Sequence, residues 1–497
     1  MEDSIEKFLS GADWIAVLPE AILACFGVIL ILLGAFKKIQ PKFCCVLAFV
    51  GFIASICAVV SSPNEYAFFQ MLAPSPFSSA FFIMCGVLTA SMSQKFLNSL
   101  SQKNAGEFFG ILTIAVAALS IFARSRHLML TFVALETSAI CFYALIAWGR
   151  RNIENLEASI KYIIVSGVSG AFFLLGIAFV YASSFELGSE MLYYGNFTEG
   201  GGNVLYGVGA VLAAAVNGSP LQIMAFLFFV VGLFFKISLV PFHQWTPDVY
   251  QGAPAPVAAF LAVASKSAAV IALFSMLISM PFSDNLVTIL SVSAAMGIII
   301  GNFGGLNEKN AKRIVAFSGI ANAGYLMVFL TAAVVLTNIS DENSDAIGYT
   351  LVLYVLSYAF AVYAIFFVQS LYKSANDADL CVCAYKGLWG KNPTAATSLT
   401  LGLASLAGIP PTAGFFAKLF VLVLAYAAGL YWLMLVLVLG SAASIYYYFK
   451  WIRAAFEPLQ GSEECQFVKG HSAVLIALCM AILVLGVRFA FLLTANA

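Results

Sequence analysis

The chain is 497 residues long, 62% hydrophobic and only 10% charged, with a formal net charge of zero. A soluble domain carries about 25% charged residues, whereas here apolar runs of roughly 18 residues or more, each able to span a bilayer, recur from end to end. That excludes a water-soluble enzyme and a β-barrel, whose strands read as ~10-residue alternating segments, and the neutral balance argues against a nucleic-acid partner.

Fourteen spans are predicted, over 14–36, 43–61, 77–93, 106–123, 127–149, 158–182, 221–244, 254–280, 285–303, 314–337, 347–371, 394–427, 430–449 and 471–494. Ahead of the first, Met1 to Asp13 holds four acidic residues (Glu2, Asp3, Glu6, Asp13) and no basic n-region, so this span is expected to stay rather than leave as a signal peptide. The segment 203–216 is apolar but short and reads as an interfacial or loop helix. Two spans are irregular: 221–244 contains Pro241, and 394–427 contains Gly408-Ile409-Pro410-Pro411. Proline inside a helix removes a hydrogen bond and clashes with the preceding turn. Each is expected to be a broken helix, which membranes tolerate where the freed backbone lines a cavity.

The ten cysteines are scattered, with Cys44-Cys45 and Cys381-Val382-Cys383 as the close pairs, and nothing resembles a four-cysteine iron–sulfur set. They read as small buried apolar residues. Alternate loops, beginning after the first span, hold 16 of the 24 basic residues, while the opposite side holds Lys7, Arg124, Arg126 and Arg488. Basic loops stay cytoplasmic, so both termini are expected on the non-cytoplasmic side.

The four remaining basic residues, Lys161, Lys236, Lys266 and Lys418, fall within or at the edge of spans. Upstream of Lys236 the run Phe226-Leu227-Phe228-Phe229-Val230-Val231 is apolar without a break, and Pro241 follows five residues later. Glu136 lies mid-span in Phe132-Val133-Ala134-Leu135-Glu136-Thr137. Charged side chains in the hydrocarbon zone are expensive and mark ion pathways unless they only pair. Burial weakens a lysine's hold on its proton and strengthens a carboxyl group's, while a nearby carboxylate returns the lysine toward its charged form. A buried lysine under the variable influence of a carboxylate can therefore load and release a proton. One acid does not account for three amines by pairing alone. Glu157 and Lys161 stand four apart at a span start, in the favourable acid-first order, and read equally as a surface pair or a relay step. His243 is a loop hydrogen-bonder or a proton carrier. Asp248 reads as a turn residue, Glu20 as a helix-start charge or a partner contact, and Arg488 as a snorkelling side chain.

The blocks 106–283 and 284–453 each hold five spans with an interrupted fourth that carries a lysine. Two such blocks in succession would insert with opposite orientation, as inverted repeats do. They are flanked by a three-helix segment 1–105 and a C-terminal helix in 454–497. The fold class is an all-α polytopic membrane protein.

Phe235-Lys236 through Asp248 and Gly252-Ala253-Pro254-Ala255-Pro256-Val257 resemble the proton-channel module of the antiporter-like subunits. Such subunits occur in respiratory complex I and in multisubunit sodium–proton antiporters. Leu156-Glu157-Ala158-Ser159-Ile160-Lys161-Tyr162, Lys312-Arg313-Ile314-Val315-Ala316-Phe317-Ser318, and Gly408-Ile409-Pro410-Pro411 leading to Lys418 match further, so the resemblance covers nearly the whole chain. It is nearest to the N-type branch. Lys418 differs from the glutamate of M-type chains, and the long lateral extension of L-type chains is not seen. Asn322, in Ile320-Ala321-Asn322-Ala323-Gly324-Tyr325, departs from the histidine common in that motif.

The resemblance implies a proton-translocating subunit of a quinone oxidoreductase in the bacterial plasma membrane. Glu136 would modulate Lys236, Lys266 would bridge toward the centre, and Lys418 would be the terminal proton site, with His243 and Lys161 as subsidiary candidates. It implies no cofactor in this chain. Quinone and iron–sulfur or flavin centres would lie in partner subunits, with M- and K-type neighbours alongside in the bilayer. The alternatives are a D-type subunit of a sodium–proton antiporter, and a scaffold whose buried charges only pair.

Overall fold

The computed structural model describes residues 11–36, 40–63, 66–68, 71–99, 104–149, 153–186, 220–278, 284–339, 344–372, 378, 380–459, 467 and 470–495. The segments 1–10 and 203–216, and the loop residues Lys7, Lys37, Lys38, Lys103, Arg150, Arg151, Lys373 and Lys469, lie outside them. Among the described residues the regular structure is helical: α1 (Gly11–Phe36), α2 (Pro41–Ser61), α3 (Pro76–Ser99), α4 (Ala105–Arg124), α5 (Leu128–Ile146), α6 (Ile153–Glu186), α7 (Pro220–Ile237) and α8 (Trp245–Gly252). A helix then runs through α9 (Ala255–Phe260), a π turn (Leu261–Ser265) and α10 (Lys266–Leu277). It is followed by α11 (Asp284–Asn307), α12 (Ala311–Thr337), α13 (Ser344–Gln369), α14 (Pro393–Ala407), α15 (Ala413–Ala427), α16 (Tyr431–Phe456) and α17 (Ser472–Ala495).

Twelve of the described helices are long and apolar enough to cross a membrane. They correspond to the predicted spans other than 221–244 and 394–427, where shorter apolar helices stand instead. The chain is thus an all-α, multi-pass membrane protein with broken helices at the two proline-bearing spans.

The chain divides into two compact units. The first comprises 1–148, 159–237 and 264–283, and the second 149–158, 238–263 and 284–497. In the first, α4 is the hub, packed against α1, α2, α3, α5 and α10. A Cβ at Gly106 would stand 2.6 Å from the Leu30 carbonyl oxygen, so only glycine permits the α1–α4 approach. In the second, α12 is the hub, packed against α8, α11, α13, α15 and α16. There a Cβ at Gly301 would stand 2.5 Å from the Ala321 nitrogen. Gly106 and Gly110, like Gly297 and Gly301, form the small-residue spacing that membrane helices use where water supplies no driving force between them.

The second break is written in capping residues. Asn392 caps α14, accepting from the Ala395 N–H at 3.2 Å, with Pro393 at the first helical position. Gly408 ends the helix in the left-handed region at φ 81° and donates to the Ala404 and Ser405 carbonyls. The first break comes earlier than the proline implies: α7 stops at Ile237, and Ser238 takes φ 66°. The Val240–Pro241 and Pro410–Pro411 bonds are cis.

Cys381 and Cys383 are joined as a disulfide, their Cα atoms 5.2 Å apart across a tight 3-10 turn, so this pair departs from the buried-thiol reading. Cys44, Cys45, Cys85 and Cys141 are buried as expected, whereas Cys25 and Cys57 are exposed.

Candidate functional site

The six candidate residues divide between the units: Glu136, Lys161, Lys236 and Lys266 in the first, His243 and Lys418 in the second. Lys236 occupies the last turn of α7 and is only 4% exposed. Its ammonium donates to the Tyr162 hydroxyl on α6 at 3.1 Å and stands 5.5 Å and 5.8 Å from the rings of Tyr162 and Phe142. Ring faces attract a cation without neutralising it. Glu136, half-buried on α5, interacts electrostatically with Lys236 without contacting it directly. Its Oε1 is buried and has no hydrogen-bond partner among the described residues. Gly170 on α6 makes room for this carboxylate, which a Cβ there would overlap.

Lys266, 4% exposed, is the first residue after the π turn, on a helix that packs against α4 and α7. π turns inside α-helices concentrate at functional sites. Lys161 is half-buried on α6, one turn after the exposed Glu157. His243 lies half-buried in the connection after α7, where its carbonyl accepts the Thr246 N–H at 3.0 Å to start α8.

Lys418 sits on α15 and reaches back to the end of α14. Its Nζ donates to the Leu406 carbonyl at 2.7 Å and the Ala407 carbonyl at 3.3 Å. The last carbonyls of a helix have no partner within it and carry its negative dipole end, so the break itself supplies the lysine's acceptors. The ammonium also stands 4.9 Å from the Tyr325 ring centroid. On neighbouring helices Tyr354 donates to Asn322 Oδ1 at 2.9 Å, and Asn322 Nδ2 donates to the Ser318 carbonyl at 2.8 Å. Ser318 in turn bonds the Tyr448 hydroxyl.

Three arrangements escaped sequence reasoning. Asp248 is more than a turn residue, because its carboxylate accepts from Arg313 at 2.7 Å. Lys312, fully buried, donates to the Ala253 carbonyl at 2.7 Å and the Gln251 carbonyl at 3.4 Å, closing the end of α8. Arg124, read as a loop charge, is buried at the end of α4 and pairs with Glu20 at 2.7 Å. Ser79 and Ser120 also donate to that carboxylate. The partners are 65, 59 and 104 positions apart, and no local spacing announces them. No group of three or more His, Cys, Asp or Glu that could hold a metal occurs among the described residues.

The family described as NADH:quinone oxidoreductase/Mrp antiporter, TM, matches residues 125–444. NADH-quinone oxidoreductase subunit N 1 of Opitutus terrae is 33% identical over 471 residues, which make up 91% of this chain and 89% of the relative. A chain of respiratory complex I from Thermus thermophilus is 30% identical with a TM-score of 0.75, over 94% of this chain and 96% of that one. A chain of the Mrp complex from a Dietzia species shares the fold at a TM-score of 0.72, over 95% of both chains, with 18% identity.

Proposed function

Since the chain belongs to the NADH:quinone oxidoreductase/Mrp antiporter transmembrane family, in its subunit N branch, we propose that Lys236, Lys266 and Lys418, with Glu136 acting on Lys236, carry protons through it. The chain is a proton-translocating membrane subunit of a quinone oxidoreductase. Its own contribution is vectorial proton transfer without a redox centre. Flavin, iron–sulfur and quinone sites belong to partner subunits, and other antiporter-like membrane subunits flank it.

One observation carries the assignment of roles. Each of the three lysines is less than a tenth exposed, and each lies where a helix is interrupted: in the last turn before a break, directly after a π turn, and against the open carbonyls of a broken helix. Irregular backbone at membrane depth is tolerated where it serves a cavity or an ion. Glu136 can modulate Lys236 because it is near enough to act by field and is not tied to it as an ion pair. His243 and Lys161 are subsidiary sites on the same reading. The two five-helix blocks, 106–283 and 284–453, are taken as inverted repeats that each contribute one broken-helix lysine. The excess of basic residues in alternate loops supports a reading with both termini on the non-cytoplasmic side, and the bacterial relatives favour the plasma membrane.

A sodium–proton antiporter subunit is the second reading. It rests on the family description, which spans both branches, and on a likeness of fold at 18% identity.

The experiment is proton uptake and quinone reduction measured together in vesicles bearing the assembled complex with Lys236→Ala. Assembly is expected to be normal while pumping and coupled turnover fall at least about tenfold, a threshold set below the roughly 10²–10⁴-fold that a positioned proton-transfer group contributes. Unchanged rates in a normally assembled complex would contradict the relay.

A further inference from the structure

The disulfide-bonded turn at Cys381 and Cys383 has no part in the roles above, yet within the second unit it stands between two anchors. On one side its backbone holds the connection that leads into α12. The Ala311 N–H donates to the Leu380 carbonyl at 2.8 Å, the Val382 N–H to the Lys309 carbonyl at 3.0 Å, and Asn310 Nδ2 to the Ala378 carbonyl at 2.6 Å. On the other side Tyr385 is fully buried, with its ring against Trp451 of α16. The Gly387 N–H donates to the Glu457 carbonyl, just past that helix, at 2.8 Å. The disulfide closes the residues between these anchors into a small ring. A cross-link restricts the chain it closes, so the ring keeps the first anchor in register with the second. The segment held in this way starts α12. Asn310 caps that helix by accepting from the Lys312 and Arg313 N–H groups at 2.9 Å and 3.2 Å, and the Lys312 ammonium closes the end of α8.

The bond is placed for exchange. Cys383 is exposed and Cys381 half-buried, so an attacking thiolate meets the Cys383 sulfur first. Cys381 Sγ accepts the Cys383 N–H at 3.1 Å. A donor on that sulfur favours its charged form, and a better-stabilised thiolate leaves faster. By the loop charges the turn faces the cytoplasm, in the same loop as Lys386 and Lys391. Thiols there are kept reduced, and the disulfides that do form are usually transient and redox-sensing.

We propose that Cys381 and Cys383 are a thiol–disulfide exchange site, and that its oxidation state sets how firmly the turn clamps the start of α12. The compartment in this proposal rests on the orientation read above. Reduction is carried out by a dithiol. One of its thiolates attacks Cys383 Sγ, the bond between the two cysteines breaks, and Cys381 leaves as a thiolate. The second thiolate of the reductant then displaces Cys383 from the mixed disulfide. Two electrons pass to the pair, the reductant becomes a disulfide, and its two protons end on the freed sulfurs. Oxidation is the reverse, with a disulfide as the electron acceptor.

The test uses the assembled complex in membrane vesicles of both orientations, equilibrated in glutathione buffers from oxidising to reducing, with dithiothreitol as the full reductant. A membrane-impermeant maleimide counts the thiols, and amide hydrogen exchange reads residues 309–313. Labelling is expected from the cytoplasmic face alone, at both cysteines after reduction and at neither after oxidation. Amide exchange over 309–313 is expected to be about tenfold faster in the reduced form, the freedom that closing so short a ring removes. The double variant Cys381→Ser, Cys383→Ser is expected to exchange at the fast rate in every buffer. Free thiols in the most oxidising buffer, a disulfide that dithiothreitol leaves intact in the folded complex, or equal amide exchange in the two forms would each overturn the switch and leave the orientation standing. Labelling from the non-cytoplasmic face would overturn the orientation and the switch with it, because a disulfide in an oxidising compartment persists. Should the double variant fail to assemble, the wild-type titration decides by itself.

Discussion

Arg124 and Lys236 are both cations buried in an apolar setting, and their surroundings differ in the way that separates a structural charge from a working one. Arg124 has Nε on the Ala73 carbonyl, Nη1 on Glu20 and Ser79, and Nη2 on the Ala16 carbonyl. Lys236 has one tyrosine hydroxyl and two ring faces, and its acid lies beyond contact with an oxygen left unpartnered. Removing one partner of a buried pair strands the other charge, at about 3–5 kcal/mol. Arg124→Met is therefore expected to deplete the assembled complex or lower its thermal midpoint, and replacing Glu20 by Gln as well to recover most of the loss. Glu136→Gln keeps the shape of a side chain that makes no ion pair among the described residues. Assembly should be normal and pumping impaired, measured as protons translocated per quinone reduced; a fall in assembly with unaltered pumping would make Glu136 structural. At this scale the sequence displayed the three lysines and Glu136, because a charge inside an apolar run is visible without a fold. It could not display the Glu20–Arg124 pair: Glu20, expected at a helix start, stands in the third turn of α1 and Arg124 at the end of α4, 104 positions apart.

Helix ends do the positioning at the next scale. The N-terminal turn of α12 reaches α8 through two adjacent residues of unequal weight. Lys312 is fully buried and serves two backbone carbonyls. Arg313 and Asp248 keep 26% and 36% of their side-chain surface exposed. Leaving a buried carbonyl unsatisfied costs about 1–3 kcal/mol, whereas a pair as exposed as Arg313–Asp248 is worth about 0–1 kcal/mol. Thermal denaturation of the purified complex should accordingly show Lys312→Ala well below Arg313→Ala; the reverse order would mean that the ion pair and not the carbonyl cap secures α8. Gly408→Ala meets two obstacles, a φ of 81° that costs a side chain about 1–2 kcal/mol and a Cβ only 3.1 Å from Lys418 Cδ. It is expected to impair pumping more than its modest loss of stability would explain. The prolines told where helices break only within a few residues: α7 ends at Ile237, four before Pro241, since a helix must stop before the residue whose ring would clash with it. The glycine at 408, by contrast, marked its break to the residue, because a left-handed cap admits little else.

For the whole molecule, hydropathy found the spans but not their depth. The helices Ala255–Leu277 and Ala311–Thr337 are 94% buried over their apolar windows and Ser472–Phe489 only 22%, although all three are strongly apolar. Lipid and protein interior select the same side chains, so apolarity alone does not say which a helix faces. The two most buried helices carry Lys266 and Asn322, which a lipid-facing helix could not hold cheaply. On the function proposed above, the three lysines work as one path. Groups acting as a unit lose their function together, and removing a second adds little. Whether they do is decided by the number of protons translocated per quinone reduced in vesicles bearing complexes with Lys236, Lys266 and Lys418 replaced by alanine singly and all together. One path predicts normal assembly in each, a large loss in every single variant, and a triple variant no worse than the poorest single one. Single losses that are small and multiply in the triple variant, or pumping that survives while assembly fails, would contradict it.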